Sequence, residues 1–271
     1  MKNIIIYATC QGIPFRDLLL QSDEIKKKYS VFYYSNFSTP GSPQFTIDQE
    51  TLRNCEIFLY HPSKEFSEEF LSDLLPQESI KLQIPYITFS AYWPDFGRIP
   101  DRPLGKSTEF PYGRIPYRSE ILDRLADEIS SKERLIDTYL HMKSEIGDRA
   151  LRILDSDFEY LNRLDSRDGP FFVRKYIENN FQERQLFKIF NHPKNELYLL
   201  ITNQLLRHLE LPKLTTAAAE KIPGHAEQNL PIHPATADSL NLNFYKRDLK
   251  HLYLGQEYSF EDFIQEYISL L

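Results

Sequence analysis

The feature that most constrains this chain is its opening. Residues 3–8 (NIIIYA), apolar without a break from Ile4 to Ala8, meet Thr9-Cys10-Gln11-Gly12 and then Pro14. A strand apolar at every position must be covered on both faces, which is the position of a central strand in a parallel sheet. Proline is tolerated in the first turn of a helix, where its missing N–H has no partner to lose. Phe15, Leu18, Leu19 and Ile25 continue as a helical stripe. The opening therefore reads as strand, tight turn, helix, with Cys10 in the turn.

The pattern recurs. Residues 31–34 and 57–60 read as second and third strands, the latter ending at His61-Pro62. Residues 64–75 suit a helix, and residues 85–89 read as a fourth strand ending at Tyr92-Trp93-Pro94-Asp95. Strands alternating with helices predict an α/β fold with a parallel, doubly wound sheet of Rossmann-like kind. Ligands collect at the carboxyl ends of such strands, and Cys10, His61 and Asp95 all follow one. Residues 96–118 hold four Pro, three Gly and five basic residues, and read as a long functional loop. Residues 119–165 become helical, 170–181 add a helix, 186–190 a strand, 194–209 a helix, 211–234 a loop, and 259–271 a last helix. The expected organisation is a single α/β domain over 1–271, with 1–95 and 184–245 as sheet core and 119–183 as a substantial helical insertion or cap.

Of 271 residues, 41% are hydrophobic and 26% charged, the balance of a globular chain. A net charge of −7 argues against a broad nucleic-acid footprint. No apolar stretch is long enough for a transmembrane segment. The run before Cys10 is too short for a signal h-region. Two cysteines, Cys10 and Cys55, suit free thiols in a reducing cytoplasm better than a disulfide framework. Oligomeric state leaves no mark in the sequence.

Cys10 is the leading candidate for chemistry. At a strand-to-helix turn a thiol faces free N–H groups whose partial charge favours thiolate. The N–H groups of Gln11 and Gly12 could hold an oxyanion. The competing reading is a small buried cysteine packed under the sheet. For a base, His192 and His233 each precede proline, which stiffens the backbone there. His61 sits on the same expected sheet edge as Cys10. Asp95 could orient an imidazole or bind a sugar hydroxyl, or simply close a turn. Tyr92 and Trp93 could stack on a sugar or pack in the core. Arg98, Arg102, Lys106, Arg114 and Arg118 offer phosphate contacts, unless they only solvate a loop. No Walker A, dinucleotide-binding glycine pattern, zinc-type Cys/His spacing or hydrolase Ser elbow is present, so a metal or nicotinamide enzyme is not expected.

Four segments resemble those of the WcbI-type polysaccharide biosynthesis proteins. Thr9-Cys10-Gln11-Gly12 is similar to their Asn-Cys-Gln start. Tyr92-Trp93-Pro94-Asp95 resembles a Tyr-His-Pro-Asp segment. Arg184 to Phe187 with Phe190 to Asn195 resembles the region around an Asn-His-Pro, and Pro231 to Pro234 a later His-Pro. Thr9 and Trp93 depart from that pattern. The resemblance implies an SGNH-hydrolase-related fold with extra helices, coenzyme A or acetyl-CoA as donor, and O-acylation of a capsule or surface polysaccharide sugar. It implies Cys10 as nucleophile, His192 as base with His233 second, and Asn191 beside the acceptor with Tyr92, Trp93, Asp95 and His61. The rival readings are an esterase of the same architecture and a non-catalytic glycan- or partner-binding module.

Overall fold

The computed structural model describes residues 1–36, 47–62, 74–98, 103–225 and 228–271. The helix expected over 64–75 lies almost wholly outside them, as does Arg102. The chain divides into two compact units. One comprises Met1–Ile87, Leu161–Tyr176 and His192–His225, the other Thr88–Tyr160, Ile177–Asn191 and Ala226–Leu271. These boundaries fall elsewhere than the expected core and cap: residues 88–95 group with the helices that follow them, and 161–176 with the sheet.

The first unit is built on a four-stranded parallel sheet: β1 (Lys2–Ala8), β2 (Tyr29–Ser35), β3 (Cys55–Tyr60) and β4 (Ile80–Gln83), in the order β2-β1-β3-β4. Flanked on both sides, β1 is buried from Asn3 to Ala8, which its unbroken apolar run requires. The edge strand β2 is half-buried along its whole length. Helices α1 (Gly12–Leu19) and α2 (Asp23–Lys28) lead from β1 to β2, and α3 (Gln49–Arg53) precedes β3. Successive connections leave β1 in opposite directions, so the carboxyl ends of β1 and β3 border the point where strand order reverses. That is the crevice in which open α/β sheets bind ligands. Against the sheet, Ile5, Tyr7, Leu52, Cys55, Phe58 and Leu75 form one buried cluster.

Residues 85–89 are not a strand, contrary to expectation; the fourth strand is β4, just before them. Their apolar pattern is real, because Ile87 and Phe89 are fully buried. Their backbone is satisfied by other partners. Phe89 N–H donates to Phe190 O at 2.7 Å. The Gln11 side chain both donates to Ile87 O (2.7 Å) and accepts from Ile87 N–H (3.0 Å). One amide side chain thus does the work of a neighbouring strand.

The second unit begins with β5 (Phe96–Arg98) and β6 (Tyr117–Ser119), which pair antiparallel. Part of the long loop expected over 96–118 is therefore a hairpin-like ribbon, closed further by a Leu104–Ile115 bridge. Helices α4 (Glu120–Glu128), α5 (Lys132–His141) and α6 (Lys143–Asp165) follow in the stretch expected to be helical. Next come α7 (Arg174–Asn180) and β7 (Phe187–Ile189), whereas β8 (His192–Pro193), α8 (Asn195–His208) and α9 (Thr216–Glu220), the last inside a segment expected to be loop, belong to the first unit. The chain ends with α10 (Pro234–Ser239), a β9 (His251–Tyr253) and β10 (Gln256–Tyr258) hairpin, and α11 (Phe260–Ser269). Phe89 anchors this unit's core: Tyr92, Phe158, Phe181 and Phe187 ring it at centroid distances of 4.9 to 6.3 Å.

Candidate active site

The turn after β1 is held from three sides. Gly12 N–H donates to Thr9 O at 2.8 Å and Ile13 N–H to Cys10 O at 3.2 Å, closing the turn into α1. Tyr33 Oη also donates to Thr9 O at 3.1 Å. From β3, His61 Nδ1 accepts Thr9 N–H at 3.1 Å. Gly12 is required by space: a Cβ there would lie 2.7 Å from the Tyr33 ring and 2.9 Å from Ala8 Cβ. The result is a fixed turn that carries Cys10, a half-buried thiol outside any disulfide.

The second element of the site is α8, which packs on α1 within the same unit. His192, in β8 just ahead of it, is buried at 7% exposure and brings Nε2 to 3.9 Å from Cys10 Sγ. His225 stacks on His192, with ring centroids 4.0 Å apart and planes 10° from parallel. Cys10, His192 and His225 each offer a donor atom, all within 4.8 Å of one another.

His225 is far from α8 in sequence, and two features hold it there. Asn195, at the start of α8, donates to Ala219 O (2.9 Å) and Ile222 O (3.0 Å), tying the preceding loop down. Gly224 then takes φ of +55°, and a Cβ on it would sit 2.0 Å from Asn195 Oδ1. Only glycine serves both demands. Tyr198, one turn into α8, is fully buried, and its hydroxyl has no hydrogen-bond partner among the described residues. Its ring lies 6.1 Å from that of His225. Burial first, then the charges of Cys10 and Tyr86, holds its phenol well above the usual range. Tyr33 is pushed up to about 12, chiefly by burial.

Several expected site residues have other occupations. His61 is 2% exposed, meets Tyr86 edge-on, and is driven down to about 3 by burial. It positions the Cys10 turn from below and has no surface to offer an acceptor. Gly12 cannot serve an oxyanion with an N–H that already closes the turn. Gln11 N–H meets Thr9 Oγ1 at 3.4 Å, and its side chain holds Ile87. Cys55 is buried, and burial raises its thiol to about 12, so it is inert.

In the second unit, the expectation that Tyr92, Trp93 and Asp95 line a sugar site is corrected, because all three are at most 2% exposed. Tyr92 Oη donates to Phe181 O (2.5 Å), and Trp93 Nε1 donates to Leu230 O (3.0 Å) and Pro231 O (3.1 Å). Asp95 accepts from Ser119 Oγ and from Tyr139 Oη at 2.8 Å. His233 is not free to act as a base either. Its Nδ1 caps α10 by accepting Ala235 N–H (3.0 Å), its Nε2 meets Tyr139 O (3.3 Å), and burial lowers it to about 4. Arg114 pairs with Glu266 at 3.1 Å and donates to Tyr258, so it is a structural cation. Lys106 is exposed and Asn191 half-buried.

The residue that sequence reasoning missed is His225. Its signal was a Gly-His pair in a loop, legible only once Asn195 is known to fasten that loop.

A family model described as "Polysaccharide biosynthesis enzyme WcbI" matches residues 3–214. No curated protein matches the chain. A solved structure of WcbI, described as a novel polysaccharide biosynthesis enzyme in native form without a disulfide bond between coenzyme A and one of its cysteines, is similar at TM-score 0.71 and 18% identity. That alignment covers 99% of this chain and 89% of the other. A metal-free mutant of a periplasmic metal binding protein from Candidatus Liberibacter asiaticus gives TM-score 0.23 at 10% identity with both chains fully covered, too low to carry an argument.

Proposed function

The chain belongs to the WcbI family of polysaccharide biosynthesis enzymes, and we propose that it moves an acyl group, acetyl in the first instance, from acyl-CoA to a hydroxyl of a capsular or surface polysaccharide sugar. The proposed setting is the cytoplasm; among the described residues no helix is long and apolar enough to cross a membrane. The single observation that carries the reading is the 3.9 Å approach of Cys10 Sγ to His192 Nε2 at the carboxyl end of β1. A relative solved with coenzyme A and a cysteine named together supports the donor class.

In the first half-reaction His192 takes the Cys10 proton and the thiolate attacks the thioester carbonyl of acyl-CoA. The carbon–sulfur bond to coenzyme A breaks, and the departing thiolate recovers the proton from His192. In the second, His192 removes the proton of the sugar hydroxyl as that oxygen attacks the Cys10 thioester. The Cys10 sulfur leaves and is reprotonated. A sulfur–nitrogen distance of 3.9 Å is longer than a working hydrogen bond, and bound substrate must draw the pair together, as apo catalytic contacts commonly tighten. Lys106, exposed among the described residues of the basic segment, is proposed as a contact for a donor phosphate.

Intact-mass analysis after mixing with acetyl-CoA checks this directly. Wild type gains one acetyl group, sensitive to hydroxylamine and mapped to Cys10; Cys10→Ala gains none; His192→Ala gains it at least ~100-fold more slowly. Full transfer to a polysaccharide acceptor by Cys10→Ala would overturn the covalent route.

A further inference from the structure

We propose that Cys10, His192 and His225 also form a three-donor site for one divalent cation of the zinc class, and that its occupancy and acylation of Cys10 exclude each other. The site draws on one thiol and two imidazoles, the borderline-soft set that zinc prefers over calcium or magnesium. Sequence spacing hides it, because the donors lie at positions 10, 192 and 225; among the described residues it is where three such donors converge.

The geometry is close to what the ion needs. With Zn–S near 2.3 Å and Zn–N near 2.05 Å at tetrahedral angles, sulfur and nitrogen stand about 3.6 Å apart. Cys10 Sγ and His192 Nε2 are 3.9 Å apart. All three donors fall within 4.8 Å, so closing on an ion takes side-chain adjustments of about 1 Å. Both imidazoles sit on supports that outlast such an adjustment: His192 in β8 against α8, His225 behind the Asn195 and Gly224 fastening. Three protein ligands leave a fourth position, as zinc sites that bind water or substrate do. Tyr198 supplies the independent sign that something polar belongs there. Its hydroxyl is buried and lacks a partner among the described residues, and its ring centroid lies 6.1 Å from that of His225.

Binding exchanges the Cys10 proton for the ion: the S–H bond breaks, the sulfur–metal bond forms, and the proton goes to solvent. The ion then takes the lone pairs of Cys10 and His192 that acyl transfer requires. This second consequence rests on the acyltransfer reading; the binding itself does not.

The test uses the full chain, stripped with chelator and kept reduced by a phosphine. Zinc is titrated against a chromophoric chelator, and cobalt(II) is added separately to read the sulfur-to-cobalt charge-transfer band. The expected result is one zinc per chain and a thiolate band. Both are lost in Cys10→Ala, and zinc affinity is weakened by about 100-fold or more in His225→Gln. They are unchanged in His208→Ala, an exposed histidine on α8. Zinc should also slow alkylation of Cys10 by iodoacetamide at least tenfold, with thermal melts confirming that each variant is folded. Absence of one-to-one binding, survival of the cobalt band in Cys10→Ala, or a folded His225→Gln that binds zinc like wild type would each overturn the proposal. Acetyl transfer onto Cys10 in zinc-free buffer is read separately, so failure of the metal site and failure of the acyltransfer reading give different results.

Discussion

Two His-Pro dipeptides, at 192 and 233, look alike in sequence and meet opposite ends. His192 stands against a half-buried thiol and a second imidazole. His233 has both ring nitrogens in use, one capping α10 and one against Tyr139 O, and its ring is packed edge-on against Tyr139 and Phe260. The contrast extends to their surroundings. Around His192 stand the thiol of Cys10 and the ring of His225. Around His233 runs a closed network: Asp95 with Ser119 and Tyr139, Ser119 capping α4, and Tyr267 donating to Asp123. What such a ring does is set by the partners the fold brings to it, not by the dipeptide that carries it.

The sharpest way to break this contrast is to remove one member from each side. Cys10→Ala is expected to lower acyl transfer by at least ~1,000-fold, the equivalent of about 4 kcal/mol in the barrier, while the urea midpoint moves little, because the thiol is half-buried and supports no packing cluster. Asp95→Ala should do the reverse. It strands the hydroxyls of Ser119 and Tyr139 in a dry interior, at about 3 kcal/mol for the pair, and the acetylation of Cys10 per folded molecule stays as in wild type. Equal losses of stability in the two variants would erase the distinction.

How far these roles were legible depends on where each residue's partners lie. The turn carrying Cys10 is local: strand, glycine and proline sit within a dozen residues, and β1, α1 and the half-buried thiol follow from them. The same holds for α8 and α11, whose apolar stripes are complete within each helix. The segment 85–89 misled because burial and pairing are separate properties. Its apolar residues are in the core, but Gln11, 76 residues earlier, supplies the hydrogen bonds a strand would have. Tyr92, Trp93 and Asp95 misled for the related reason that aromatic and acidic residues after an apolar run suit a pocket and a sealed core equally. His225 depended on Asn195 and Gly224 together, a fastening that no local pattern announces.

Acidity offers a further handle on His233. His233 falls from its ordinary 6.5 to about 4 because burial opposes its charge. Above pH 6.5 it is neutral folded and unfolded. Between 6.5 and 4 the unfolded chain takes up a proton that the folded chain refuses, so stability is lost as pH falls. Going from pH 7.5 to 5 should cost about 2 kcal/mol through this residue. Asp157, raised to about 6 chiefly by burial, runs the other way and returns about 1 kcal/mol over the same interval. Urea titrations at the two pH values should show the acid-induced loss shrink by about 2 kcal/mol in His233→Gln. An unchanged pH dependence would mean that His233 is not buried neutral.

The smallest expected effect tests Trp93, whose indole N–H is shared between Leu230 O and Pro231 O, just ahead of His233. Trp93→Phe keeps an aromatic ring against Tyr92 but leaves those two carbonyls without their donor. Since a carbonyl without a donor is tolerated better than an orphaned N–H, the loss should be about 1 kcal/mol, read as a drop in urea midpoint with the slope unchanged. If Trp93 were instead a stacking surface for a sugar, stability would hold and the acceptor KM would rise. Its 1% exposure makes the first outcome the expected one, because a ring that no solvent reaches has no face left for a substrate.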